Sequence, residues 1–131
     1  MTNYVIGPDV ALRLAQEGIA IAEEHKLLAP TLLRSQFLSL LYRAVSQGKL
    51  TNRDAERHLG YVRGLRIRLL GDRVLQNVAW KVAKQLDWPD TYDAEYIALT
   101  QLQADAFITL DEKLAASVKE YVSLAPYKVL L

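Results

Sequence analysis

Every stretch of this chain that reads as a β-strand is short, and nearly all are followed by a stretch with helical spacing. The clearest apolar run, Ala106-Phe107-Ile108-Thr109-Leu110, is five residues long. Residues 3–6 read as a first strand ended by Gly7-Pro8, and residues 26–29 as a second closed by Pro30. Between and after them, apolar residues recur at three- and four-residue spacing. Pro8 opens a helix through Val10, Ala11, Leu12 and Leu14. Leu32, Leu33, Gln36, Phe37, Leu40, Leu41 and Ala44 mark another, ended by Gly48. Thr51-Asn52-Arg53-Asp54 has the form of an N-cap and opens a third that runs towards Gly60 or Gly64. Residues 65–70 alternate apolar and basic side chains and predict a strand with one wet face. Asp72 caps a helix reaching Leu86, Trp88-Pro89-Asp90 breaks the chain, residues 91–104 form a helix, another starts at Asp111, and residues 127–131 read as a last strand. Short strands alternating with helices favour a three-layer α/β/α domain around a short, mostly parallel sheet, with residues 1–131 as one domain.

Composition removes whole classes of alternative. Apolar residues make up 51% of the chain, too many for a disordered protein. The absence of cysteine excludes a disulfide framework and a Cys-based zinc site. No apolar run reaches the roughly 18 residues needed to span a membrane, and the first residues lack the pattern of a signal peptide. The expectation is a cytoplasmic protein with no membrane contact. Its net charge of +1 hides an uneven distribution. Nine cations face three acids between Arg34 and Arg73, and eight acids face three lysines from Asp87 onward. Such a split suits two solvated helix surfaces of opposite sign, and it also suits a polyanion held beside a metal.

The familiar catalytic motifs are absent: there is no Gly-rich phosphate loop, no G-x-S-x-G and no H-E-x-x-H. His25 and His58 read as surface or capping residues, and the two tryptophans as core or boundary residues. The acids carry more information. Ligands of an open parallel sheet bind at the carboxyl ends of its strands. Asp111 follows the buried run 106–110 directly, Asp93 lies in the first turn of the preceding helix, and Asp9 follows the first strand. Each suits an ordinary structural role as cap, first-turn acid or turn residue. Together they suit the oxygen-rich coordination of a hard cation such as Mg²⁺ or Mn²⁺.

Four segments resemble the PIN-domain family, and within it the VapC-type toxins of toxin–antitoxin pairs. They are Tyr4-Val5-Ile6-Gly7-Pro8-Asp9-Val10-Ala11-Leu12, Ala29-Pro30-Thr31-Leu32-Leu33-Arg34-Ser35-Gln36, Thr91-Tyr92-Asp93-Ala94-Glu95-Tyr96-Ile97-Ala98-Leu99 and Ala106-Phe107-Ile108-Thr109-Leu110-Asp111-Glu112-Lys113-Leu114. The resemblance implies a three-layer fold and Mg²⁺- or Mn²⁺-dependent RNA cleavage by a carboxylate cluster. It also implies a cognate antitoxin partner and a homodimer. Asp93 and Asp111 match two acidic positions of the family. Gly7 stands where a third acid is expected, with Asp9 two residues on, and Gln36 stands in place of a helical glutamate. On this resemblance Asp93, Asp111 and Asp9 hold the metal, Gln36 orients water and Thr109 hydrogen-bonds a carboxylate or phosphate. Asp9 reaches the site if the backbone stays extended, because residues two apart then face the same way. Arg34, Arg66 and Arg68 are candidates for contact with the RNA backbone. Because Gln36 brings no negative charge, the site also suits a weakened or inactive PIN-fold module that binds RNA or a protein.

Overall fold

The computed structural model describes residues 1–131. Four strands form one parallel sheet: β1 (Thr2–Ile6), β2 (His25–Pro30), β3 (Arg68–Leu70) and β4 (Ala106–Ile108), in spatial order β3-β2-β1-β4. The six helices are α1 (Pro8–Glu17), α2 (Leu32–Ser46), α3 (Asn52–Gly64), α4 (Arg73–Gln85), α5 (Tyr92–Gln103) and α6 (Glu112–Val118). Because neighbouring residues of a strand face opposite ways, β1, β2 and β4 each feed two cores. Tyr4, Ile6, Leu27, Ala106 and Ile108 pack with Val10, Leu14, Phe37 and Leu41 from α1 and α2. Val5, Leu28 and Phe107 pack with Leu75, Val82, Ile97, Leu99 and Val118 from α4, α5 and α6. The expected three-layer α/β/α architecture is thus present. No helix is long and apolar enough to cross a membrane.

The caps read from sequence close local hydrogen bonds. Thr51 accepts from the Asp54 N–H (3.1 Å) and Asp72 from the Leu75 N–H (2.9 Å), so α3 and α4 begin where those side chains satisfy a free amide. Gly48 takes a left-handed φ of 74° after α2.

Four expectations need correction. The strand at residues 65–70 shrinks to Arg68–Leu70, because Leu65 still closes α3 and Arg66 turns the chain with φ 57°. Leu65 and Ile67 are half-buried against the core and Arg66 is exposed, so the apolar–basic alternation is there, but without strand pairing before Arg68. Residues 127–131 do not form a strand. The free edge of β4 is already taken by the preceding loop, through Phe107 N–H to Ser123 O (2.9 Å) and Ala125 N–H to Phe107 O (3.0 Å). The tail therefore turns into the 3₁₀ helix Tyr127–Leu130, seals the core with Leu130 and donates the Tyr127 hydroxyl to Glu17. His58 is the one fully buried side chain of α3, and its Nδ1 has no partner. Trp80 stands 69% exposed rather than in the core.

Phe107, in the middle of β4, is 1% exposed, and its ring lies 6.3 Å from that of Tyr96. Phe107→Ala is expected to cost about 3–5 kcal/mol, the usual range for such a truncation. Urea unfolding of the two proteins measures it.

Candidate active site

The chain builds β1, β2 and β3 outward in one direction and then returns to place β4 on the other side of β1. The carboxyl ends of β1 and β4 therefore flank the point where strand order reverses, which is where an open parallel sheet leaves a crevice. Asp9 and the pair Thr109–Asp111 lie at those two ends.

Asp9 ties the ends together. Its Oδ2 accepts from the Leu110 N–H (2.9 Å) and the Thr109 hydroxyl (3.2 Å), and its Oδ1 from the Val10 N–H (2.8 Å). The Thr109 hydroxyl also accepts from the Asp111 N–H (3.1 Å), so Asp9, Thr109 and Asp111 form one chain of contacts. The extended path expected for Asp9 does not occur. Pro8 starts α1 at once, and only Gly7 before it is extended (φ −86°, ψ 172°). The carboxylate nevertheless occupies the space of the missing side chain: a Cβ on Gly7 would lie 2.8 Å from Asp9 Oδ1.

Asp111 is the N-cap of α6, with its Oδ1 accepting from the Lys113 and Leu114 N–H groups (both 3.0 Å). Asp93 is in the first turn of α5 and accepts no hydrogen bond. Burial first, then the charges of Asp90, Asp111 and Asp9, hold its carboxyl above the ordinary value of 3.8. The structure thus brings Asp9, Asp93 and Asp111 within electrostatic reach of one another. No cation neutralises them, since the molecule's single ion pair joins Arg57 to Asp54.

Gln36 faces the same site from α2. Its Oε1 accepts from the Tyr96 hydroxyl at 2.6 Å. Tyr96 lies three residues beyond Asp93 on α5, a spacing that places both on one side of the helix. Burial, aided by Glu95, Asp93 and Asp9, pushes the phenol well above its ordinary value, so it stays a donor. Sequence reading did not single out Tyr96, although the Asp93-x-x-Tyr96 spacing was its signal. Of the arginines, Arg34 and Arg66 meet at a groove of about 730 Å³ between α2 and α3, joined there by Arg63. Arg68 lies outside it, exposed at the start of edge strand β3.

The donor set defines what cation it suits. No three acidic or histidine side chains are grouped closely enough to enclose an ion. Asp9 spends its oxygens on three protein donors. Asp93 keeps both oxygens free of protein hydrogen bonds, and Asp111 keeps Oδ2. Two carboxylates with the remaining positions filled by water fit Mg²⁺ or Mn²⁺, and a cage of direct protein ligands does not fit.

No family model matches the sequence, and no curated protein matches it. Solved structures do resemble the fold. PAE2754 from Pyrobaculum aerophilum superposes with a TM-score of 0.73 at 20% identity, over 98% of this chain and 92% of that one. VapBC-1 from nontypeable Haemophilus influenzae gives a TM-score of 0.60 at 11% identity, over 96% of this chain and 98% of that one.

Two outcomes test the site. Since the Asp93 pKa is raised in the folded state, ionising this group costs stability. That cost is absent below 3.8 and complete above the raised value. Asp93→Asn should therefore gain stability relative to the parent as pH rises from about 3 to 7, read by melting at both pH values. Gly7→Ala should displace the Asp9 carboxylate and cost about 1–3 kcal/mol. The cost should shrink in an Asp9→Ser background, which a double-mutant cycle measures. The architecture, taken with these superpositions, is that of a PIN-like fold.

Proposed function

We propose that this protein is a ribonuclease of the PIN-domain toxin type, dependent on Mg²⁺ or Mn²⁺. One observation carries the reading: Asp93, Asp111 and Asp9 lie within electrostatic reach of one another, without a neutralising side chain, beside the switch point of the sheet. Like charges held together raise one another's free energy, and a divalent cation relieves that cost.

Asp93 and Asp111 would hold the ion. When bound, it would polarise a phosphate oxygen and lower the pKa of a water for attack on phosphorus. Asp9 acts as a positioning residue, fixing the turn that presents Asp111. The Tyr96 hydroxyl fixes the Gln36 carbonyl, which leaves the Gln36 amide N–H groups to donate to a water or a phosphate oxygen. Thr109 sets the distance between Asp9 and the Asp111 backbone.

The likeness to VapBC-1 supports an antitoxin partner for this chain. The groove between α2 and α3 suits such a partner. Leu33, Phe37, Leu59 and Val62 supply apolar lining, and Arg34, Arg63 and Arg66 favour acidic side chains.

A second reading has specific support as well. The neutral Gln36–Tyr96 pair and the lack of a three-acid group favour a PIN-fold module that binds RNA without cutting it. Incubation of the purified protein with structured RNA and Mn²⁺ separates the two. Cleavage that falls by about a hundredfold or more in Asp93→Asn and Asp111→Asn is the expected result, in the range for losing a charge-stabilising group. Equal cleavage by parent and variants sinks the mechanism. Bound but intact RNA, with no heat from Mn²⁺ titration, establishes the module instead.

A further inference from the structure

The outer face of α4 has no part in the site described above, and its composition is unusual. Arg73, Lys81 and Lys84 are its charged residues, and it carries no acid. None of its cations is in an ion pair. Leu75, Ala79, Val82 and Ala83 bury its inner face. Trp80 points away from them and is 69% exposed. At about 100° per residue, Arg73 and Lys84 fall within roughly 40° of Trp80 around the helix. The exposed amides Gln76 and Asn77 sit on the same face. The surface is a line of guanidinium, amides, indole and ammonium, with its two ends about 16 Å apart along the helix axis.

We propose that this face is a binding track for single-stranded RNA, with Trp80 as a base-stacking platform. The proposal rests on the ribonuclease reading for its choice of ligand. Cations at the two ends suit phosphates a few nucleotides apart on one strand, an exposed ring suits the face of an unpaired base, and amides suit base edges. A duplex hides its base faces and offers the indole nothing to stack on. Position favours the same ligand. α4 runs into residues 86–91, where the Trp88 N–H folds back onto the Ala83 carbonyl (2.9 Å), and this short turn leads into α5 with Asp93 in its first turn. Tyr92, 55% exposed, adds a second aromatic surface beside Asp93. A strand laid on α4 is thereby led towards the acids.

The test uses the full chain and a fluorescein-labelled decauridylate in EDTA, with affinity read by anisotropy between about 50 and 200 mM salt. The parent should bind with a steep salt dependence. Trp80→Ala should weaken binding about tenfold or more, the size of a lost base–aromatic stack. Trp80→Phe should keep most of the affinity, and Lys84→Glu should weaken it and flatten the salt slope. Unchanged affinity in Trp80→Ala, or no binding by the parent, overturns the proposal. So does a Trp80→Ala protein that binds RNA normally but loses a dimer or protein contact on a sizing column, since the face then serves a protein partner. Trp80-dependent binding of RNA that Mn²⁺ leaves uncut would defeat the nuclease reading alone. Cleavage with a KM unmoved by Trp80→Ala would defeat the track alone.

Discussion

The carboxylate of Asp9 is the contact on which the site depends. It satisfies backbone amides on two segments that are far apart in sequence, Val10 at the start of α1 and Leu110 after β4. Those amides belong to the two turns flanking the switch point, where no strand pairing reaches them. Without the carboxylate each would need water or another acceptor, and the turns would be free to separate. With it, the Asp111 cap, the Thr109 hydroxyl and the α1 N-terminus hold fixed positions relative to one another. The chemistry of the site is therefore built on a structural contact made by an acid.

That contact concentrates negative charge. Burial first, and then the charges of Asp90, Asp111 and Asp9, raise the pKa of Asp93, and no cation of the molecule pairs with it. A fold selected for stability alone would have paired or replaced such a group. Retaining it is understandable if an external cation, or a basic group of a partner, completes the site. The neutral Gln36–Tyr96 pair works in the opposite direction. Where a further carboxylate would add repulsion, a short neutral hydrogen bond adds none.

Much of this was legible in the sequence, because the signals were local. The Thr51 and Asp72 caps, the Gly48 stop and the helical spacing of α2 and α4 depend on residues within a turn or two. Asp9, Asp93 and Asp111 were legible from their places after strands and at a helix start. What escaped depended on partners distant in sequence. The alternation of residues 65–70 said nothing of whether a neighbouring strand was in register to pair, and only three residues found one. The edge of β4 was already occupied, which no pattern within residues 127–131 records. His58 is buried although an imidazole on a polar helix reads as exposed, and Trp80 is exposed although an indole reads as buried. Tyr96 looked like one more apolar helix residue until its hydroxyl met Gln36, sixty positions away.

Gly7 and Asp9 exclude each other. A side chain beginning at residue 7 and the carboxylate reaching back from residue 9 claim the same few ångströms. Along the chain, residue 7 lacks a side chain and residue 9 carries an acid. In space these are one feature, a carboxylate that fills from the next turn the corner a side chain at residue 7 would take. Neither position can be exchanged singly without crowding or emptying that corner, so the pair must change together. The two residues are thus one unit of shape, in which the absence of a side chain at one position is what gives the other its place.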